Sequence, residues 1–293
     1  DILWADIDPN TGCISATEVE RMLREVGAKA VMAVAWAGIP PDLEPLRDAC
    51  HKHGAKLILD AAHAMGATYD DCYVHEWADY TCYSLQAIKH VTSGDGGILV
   101  CEDDEDQARA RRLKWFGLDR DDAKDSRGNW KGQHWDHDIS EAGYKFNMNN
   151  LSAALGMSQM PYVDGLIEGH RCNAETYRLE FRRSKLITPL APEYECNPSH
   201  WVYTVRLDTD RVPRDYLLQA LNEEGIGAGL VHIPNQGYSC FDKYYRTLPG
   251  VTQFSTTQLS LPCGWWLDED DIKHIAKRVK SLCDSYDKQV NQG

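Results

Sequence analysis

The first half of the chain alternates helical and extended patterns of apolar residues. Ser15 and Glu18 have the spacing of a helix capping box, and the apolar residues that follow recur at helical intervals. Short apolar runs such as KAVMAVA and AKLILD are typical of buried strands. The predicted helices cover residues 15–26, 41–54 and 103–115, and the predicted strands cover residues 29–35, 55–60, 79–84 and 96–102. Strands that alternate with helices predict a mostly parallel sheet covered by helices.

The second half predicts a long helix and then a smaller α/β unit. Residues 149–184 have a helical pattern that we expect to bend near Pro161. Beyond it, strands are predicted over residues 200–207 and 226–233, and helices over residues 213–225 and 268–283. We therefore expect a large domain over residues 1–165, and a connecting helix with a small C-terminal domain over residues 166–293.

Composition excludes some classes of function. The chain of 293 residues carries 31 basic and 45 acidic side chains, a net charge of −14, which disfavours electrostatic binding of nucleic acid. Its apolar runs are too short for a membrane span. The ten cysteines form no CxxC pair and have no metal-ligand spacing, and we expect reduced thiols in a cytoplasm and no metal site.

Three chemistry-bearing residues follow predicted strands. Asp60 ends one strand, Ser84 ends the next, and Lys89 lies in the loop before a glycine-rich turn. Ligands of α/β proteins gather at the carboxyl ends of strands. Each residue alone has an ordinary interpretation, since a strand-end Asp or Ser commonly caps a turn and most lysines are solvated.

Lys89 is the most informative of the three. Its apolar neighbours Ile88 and Val91 indicate partial burial, which lowers the pKa of an amine and frees it to form a Schiff base with an aldehyde. A carboxylate suits a protonated pyridine nitrogen, and a hydroxyl suits a phosphate. The three residues together indicate pyridoxal phosphate.

Longer motifs carry a family resemblance. The three principal segments are DAAHAMGA at 60–67, SLQAIKHVTSGDGG at 84–97 and GYKFNMNNLSAALG at 143–156. Further matches are DIDPNTGCIS, VAWAGIPPDLEPL, GIGAGLVHIP and LSLP. Together they resemble the DegT/StrS family of pyridoxal-phosphate-dependent nucleotide-sugar aminotransferases. The resemblance implies the α/β fold of aspartate aminotransferase (fold type I), whose large domain has three layers.

The resemblance also implies roles for individual residues. Lys89 would hold the cofactor covalently and move the proton between substrate and cofactor. Asp60 would pair with the pyridine nitrogen, and His63 would lie near the ring and its 3-hydroxyl. Ser84 would hydrogen-bond the phosphate. Taken alone, a histidine such as His63 is more often a packed or capping residue than a cofactor contact.

Lys145 is implied to reach a phosphate across the interface of a homodimer with shared active sites. Many relatives carry Asn at this position and Arg at the position of Asn147, so a surface lysine is an alternative of nearly equal weight. Relatives also have a preceding N-terminal part with a Gly-Thr turn that cradles the phosphate. Because no such turn occurs here, the resemblance implies a chain that lacks this part and binds cofactor poorly alone.

The expected reaction is amino transfer, with glutamate as the donor and a nucleotide-linked 4-keto-6-deoxyhexose as the acceptor, for surface polysaccharide or glycoconjugate biosynthesis. Residues 120–140 and 231–238 are candidate substrate contacts, although either segment is equally consistent with an ordinary surface loop. Two alternatives stay open. Related sugar dehydratases carry His where Lys89 stands, and His90 is shifted from that position by one. The chain could also be a non-catalytic fragment or binding homologue.

Overall fold

The computed structural model describes residues 1–119, 124–133 and 137–291. The strands are β1 Ile7–Asp8, β2 Cys13–Ile14, β3 Ala30–Val34, β4 Lys56–Asp60, β5 Thr68–Tyr69, β6 Cys72–Tyr73, β7 Tyr80–Ser84, β8 Gly97–Cys101, β9 Ile187–Pro189, β10 Cys196–Asn197, β11 Tyr203–Leu207 and β12 Gln258–Leu261. The helices are α1 Ala16–Glu25, α2 Leu43–Lys52, α3 Asp104–Leu113, α4 Asn150–Gln159, α5 Val163–Phe181, α6 Arg214–Glu223, α7 Pro249–Thr257 and α8 Glu269–Asn291. Short 3-10 turns lie between several of them.

The main sheet confirms the predicted parallel arrangement. Its strand order is β3-β4-β7-β8, in which the first three strands are parallel and β8 is antiparallel. Asp60 pairs with Cys82, so the carboxyl ends of β4 and β7 meet at the same edge of the sheet. The register also places the side chains of Asp60, Cys82 and Leu99 in one row on one face.

The opposite face of this sheet forms the first hydrophobic core. Leu57 and Leu59 are fully buried there, against a cluster that includes Leu43 and Leu46 of α2. Helix α1 joins the same cluster, and its N-terminus is capped by Ser15, whose Oγ accepts a hydrogen bond from the Glu18 N–H at 3.3 Å. The predicted capping position is therefore confirmed.

The long helix predicted over residues 149–184 is interrupted where its proline stands. Helix α4 ends at Gln159, a single 3-10 turn covers Met160–Tyr162, and α5 begins at Val163. Pro161 has no N–H for an α-helical hydrogen bond, and its ring clashes with the preceding turn. The expected bend is confirmed.

The C-terminal part contains a second core. Strands β9, β11 and β12 form an antiparallel sheet in the order β12-β11-β9, and α5, α6 and α8 share its buried cluster. The prediction of a strand over residues 226–233 is wrong. That segment makes a single bridge, between Gly229 and Ser260 on the outer side of the edge strand β12, and its two glycines give it little side chain with which to extend the pairing.

A third, smaller cluster links the two cores. Trp36, Ile39 and Phe254 are buried in it, and the Trp36 indole N–H donates to Thr204 Oγ1 at 3.4 Å. Phe254 packs edge-on against Trp36, with ring centroids 5.1 Å apart. This junction brings the chain just before β11 against the carboxyl edge of the main sheet. Over the part of the chain described, no helix is long and apolar enough to span a bilayer.

Candidate active site

Lys89 lies in a tight loop between β7 and β8. Its N–H donates to the Gln86 carbonyl at 3.0 Å, and a hydrogen bond of 2.9 Å from Leu85 N–H to the Gly96 carbonyl closes the loop. Gly94 has a φ of +82° and Gly96 one of +146°, backbone conformations that residues with a side chain rarely adopt. The glycines therefore permit the turn on which the lysine is held.

The Lys89 amine is half-buried against an aromatic ring. Its Nζ lies 3.7 Å from the centroid of the Trp201 ring, and it makes no hydrogen bond or ion pair with any residue described. Burial lowers the pKa of Lys89 to about 8, and the Asp60 carboxylate acts in the opposite direction. About a tenth of this amine is therefore uncharged and nucleophilic at pH 7, far more than in an ordinary lysine.

His63 is buried beside the same tryptophan. Its ring stacks on Trp201 with centroids 4.1 Å apart, and His232 lies almost parallel at 5.7 Å. Burial lowers the pKa of His63 to about 3, with the charge of Lys89 adding to the effect. The ring is therefore neutral at pH 7. Its Nδ1 is buried and has no hydrogen-bond partner among the described residues.

Asp60 ends β4 at the edge where Lys89 is held. One carboxylate oxygen accepts a hydrogen bond from the Ala62 N–H at 3.0 Å, which is the turn-forming role that a strand-end aspartate often has. The carboxylate forms no ion pair within the described part of the chain. Burial lowers the pKa of both Lys89 and His232, and the charge of Asp60 acts against this shift in each case.

Ser84 stands at the end of β7, on the same sheet edge. Its Oγ accepts a hydrogen bond from the Gln86 N–H at 3.2 Å, so the hydroxyl hydrogen is directed elsewhere. The structure thus places Asp60, Ser84 and Lys89 along one edge, with His63 stacked beside the lysine through Trp201.

Lys145 is not in contact with these four residues. Its Nζ donates to Asn147 Oδ1 at 2.8 Å and lies 3.5 Å from the centroid of the Trp115 ring. The side chain of Lys145 is exposed, and no residue of the sheet edge contacts it among those described.

His90 has a structural environment of its own. Its Nε2 lies 3.0 Å from the Ser199 carbonyl oxygen, and its ring packs against His170 with centroids 4.5 Å apart. Burial lowers the pKa of His90 to about 3. The residue next to Lys89 is therefore a buried, neutral packing group.

Sequence reasoning missed Trp201 and did not single out His232. Trp201 lies at the start of an apolar strand pattern, where an aromatic residue indicates core packing. His232 lies in the segment 231–238 that we expected to contact substrate, and its ring is at 5.8 Å from Trp36 in an edge-on arrangement. Only the fold brings these rings to Lys89. The other candidate segment, 120–140, lies partly outside the described residues, since 120–123 and 134–136 are not described.

The residues present fit pyridoxal phosphate. Lys89 offers an amine of lowered pKa for an aldehyde, Asp60 an unpaired carboxylate for a ring nitrogen, and His63 a buried nitrogen that lacks a partner. These groups match, in turn, the aldehyde, the ring nitrogen and the 3-hydroxyl of the cofactor. Ser84 adds a hydroxyl on the same edge.

Comparisons with known proteins give the same assignment. The family model described as "DegT/DnrJ/EryC1/StrS aminotransferase family" matches residues 1–280. The sugar aminotransferase CalS13 of Micromonospora echinospora is 30% identical with a TM-score of 0.85, over 96% of this chain and 74% of that one. PseC of Helicobacter pylori, an aminotransferase involved in pseudoaminic acid biosynthesis, is 25% identical with a TM-score of 0.87, over 97% of this chain and 74% of that one.

An uncharacterised protein of Methanocaldococcus jannaschii is also similar. It is 27% identical over 289 residues, which are 96% of this chain and 73% of that protein. The family match covers nearly all of both cores and every residue of the candidate site. The chain belongs to the DegT/DnrJ/EryC1/StrS aminotransferase family, which comprises sugar aminotransferases that depend on pyridoxal phosphate and have fold type I.

Proposed function

We propose that this aminotransferase moves an amino group from glutamate to the keto group of a nucleotide-linked deoxysugar, with a 4-keto-6-deoxyhexose as the acceptor. The observation that carries the proposal is the half-buried Lys89 amine, held without an ion-pair partner among the described residues and acted on by Asp60. Sugar amino transfer requires such an amine. The product would serve surface polysaccharide or glycoconjugate biosynthesis in the cytoplasm.

Four residues at one sheet edge would hold the cofactor. Lys89 would bind it covalently, Asp60 would accept a hydrogen bond from its ring nitrogen, and the unpartnered Nδ1 of His63 would face its ring. The Ser84 hydroxyl would donate to its phosphate. When bound, pyridoxal phosphate supplies an electron-withdrawing ring that stabilises negative charge on the carbon beside the transferred nitrogen.

Lys89 is also suited to move the proton. With a pKa of about 8, its Nζ exists in both the charged and uncharged forms near neutral pH. It can therefore accept a proton from a carbon and return it to another atom within reach, at little cost in either direction. The Asp60 carboxylate beside it favours the charged form of the amine.

A second copy of the chain is proposed to complete the assembly. Helix α4 and the segment before it expose large apolar side chains: Phe146 is 75% exposed, Leu151 85% and Met157 73%. Monomeric proteins rarely expose so many neighbouring apolar groups. Lys145 lies in the same region, exposed, where it could reach the phosphate of a partner's site.

The dehydratase alternative differs in the proton-moving group. That reaction uses a histidine at the Lys89 position, whereas here the neighbouring His90 is buried against His170 and hydrogen-bonded to Ser199. This environment favours amino transfer. A non-catalytic binding role would not require an amine whose pKa is lowered, as that of Lys89 is.

The proposal is tested by the product. The protein, loaded with pyridoxal phosphate, is incubated with ¹⁵N-glutamate and a panel of nucleotide-linked keto sugars. Mass spectrometry should show one acceptor gaining labelled nitrogen, and should show none in the Lys89→Ala variant. Lys185→Ala, which removes an exposed lysine, is the matched control and should stay active. A deoxygenated product without nitrogen would support dehydration instead, and no conversion of any acceptor would support the binding role.

A further inference from the structure

Trp201 makes three contacts that converge on the candidate site. Its ring face lies 3.7 Å from Lys89 Nζ, and it stacks on His63 with centroids 4.1 Å apart. Its indole N–H donates to the Ile88 carbonyl at 2.7 Å. One side chain from the chain just before β11 therefore touches the amine, the loop backbone that carries it and the neighbouring imidazole.

Hydrogen bonds fix the chain segment that precedes Trp201. Ser199 N–H donates to the Gly38 carbonyl at 3.0 Å, and Ser199 Oγ donates to the His63 carbonyl at 3.0 Å. Gly38 has a φ of +95°, and a Cβ there would lie 2.6 Å from the His200 nitrogen and 2.8 Å from the His63 carbonyl oxygen. Only a glycine lets the segment before Trp201 approach this closely.

We propose that Trp201 is the positioning residue for Lys89: its ring covers one side of the amine and fixes where Nζ lies. The role rests on the proposed function, because it concerns the amine that would bind the cofactor. A lysine side chain has many rotamers, and holding one of them removes an entropic cost from each attachment step.

The Trp201 ring also influences the charge state of the Lys89 amine. A ring against an ammonium attracts it weakly, but it also removes water from one side, and burial is the larger influence on Lys89. Among the titratable groups around the amine, Asp60 favours its charged form, and the charge of Lys89 in turn adds to the lowering by burial of the pKa values of His63, His90 and His232.

The test measures the amine directly, without cofactor. The full-length cofactor-free protein is trace-labelled with acetic anhydride between pH 6 and pH 11, and acetylation of Lys89 is followed by peptide mass spectrometry. In Trp201→Leu we expect the midpoint of labelling to rise by about 1 pH unit, towards that of an ordinary lysine. Trp201→Phe keeps a ring over the amine and should recover more than half of this rise.

Two variants keep the test decisive. Trp265→Leu removes a half-exposed tryptophan elsewhere and should leave the Lys89 midpoint unchanged. Trp201→Gln replaces Trp201→Leu if the leucine variant fails to fold, as judged by circular dichroism. An unchanged or lower midpoint without the ring would overturn the proposal, as would a Phe variant that shifts as far as the Leu variant. Because no cofactor is used, these outcomes do not depend on whether Lys89 binds pyridoxal phosphate.

Discussion

At the scale of residues, the candidate site combines groups whose chemistry is set by burial. Lys89 has a pKa near 8 and His63 one near 3, and in both cases burial is the first cause. The sequence predicted Asp60, Ser84 and Lys89 as cofactor residues, since strand ends and apolar flanks can be read locally, whereas His63 was implied only by the family resemblance. Trp201 could not be predicted, because it reaches Ile88 from more than a hundred residues away.

His63 provides a prediction on cofactor affinity. Its buried Nδ1 lacks a partner, and a hydrogen bond from or to the cofactor would satisfy it. In His63→Phe the ring stack is kept and the nitrogen is lost, so we expect the Kd for pyridoxal phosphate to rise about tenfold, the worth of one hydrogen bond. Fluorescence titration measures the Kd. His51→Phe, at an exposed position, is the control, and equal affinity of both variants would refute the role of His63.

The buried histidines also predict how stability depends on pH. In the folded state the pKa values of His63 and His90 are about 3, below the ordinary 6.5. As the pH falls, these histidines bind protons in the unfolded chain before they do so in the folded one. Their contribution to the free energy of unfolding is therefore complete above pH 6.5 and is lost as the pH falls below that value. Between pH 7 and pH 5, each should lower the free energy of unfolding by about 2 kcal/mol.

Urea titration at the two pH values measures this effect. In His90→Leu the loss between pH 7 and pH 5 should be smaller by about 2 kcal/mol than in the original protein, since the contribution of one buried histidine is gone. His51→Leu removes an exposed histidine and should leave the loss unchanged. The same loss in both variants would show that His90 does not stay neutral in the folded state.

At the scale of elements, the predictable parts are those with a clear local pattern. The parallel strands, the capped helix α1 and the bend at Pro161 follow from periodicity, side-chain capping and proline geometry. The strand expected over residues 226–233 is reduced to one bridge, between Gly229 and Ser260 on the outer side of β12, because its glycines offer little side chain to pack along that edge. Local pattern cannot reveal which strand occupies an edge.

Gly38 tests how one junction between elements supports the site. Alanine there would clash with the His200 nitrogen and the His63 carbonyl oxygen, besides adopting an unfavourable φ. We expect Gly38→Ala to lower the free energy of unfolding by about 3 kcal/mol, where backbone strain alone costs about 1 kcal/mol. Gly54→Ala is the matched control, since Gly54 also has a positive φ but nothing lies within 4 Å of its Cβ position. Equal losses in urea titrations would contradict this account.

At the scale of the whole molecule, two cores meet at a small junction, and an apolar surface is left exposed. The family match over residues 1–280 explains the arrangement of both cores. The division at residue 165 and the dimer remain predictions. The sequence indicated the family through several motifs together, whereas the exposed surface emerged only from the fold.

The proposed dimer predicts the effect of charge on α4. Leu151 is 85% exposed, so a lysine there should be harmless to a monomer but unfavourable inside an apolar interface. We expect Leu151→Lys to weaken self-association at least tenfold, because a buried unpaired charge costs well over about 1.4 kcal/mol. Sedimentation equilibrium measures the change. Val26→Lys, at a position 67% exposed directly after α1, is the control, and equal association constants would argue against this surface.

The central claim is that Lys89 carries the cofactor, and trapping the bond tests it most directly. The protein is incubated with pyridoxal phosphate, reduced with borohydride and digested, and the peptides are analysed by mass spectrometry. We predict one phosphopyridoxyl group, on Lys89, and none in Lys89→Ala, whereas Lys185→Ala should be labelled on Lys89 as fully as the original chain. A stoichiometric adduct on another lysine, or one that persists in Lys89→Ala, would contradict the account.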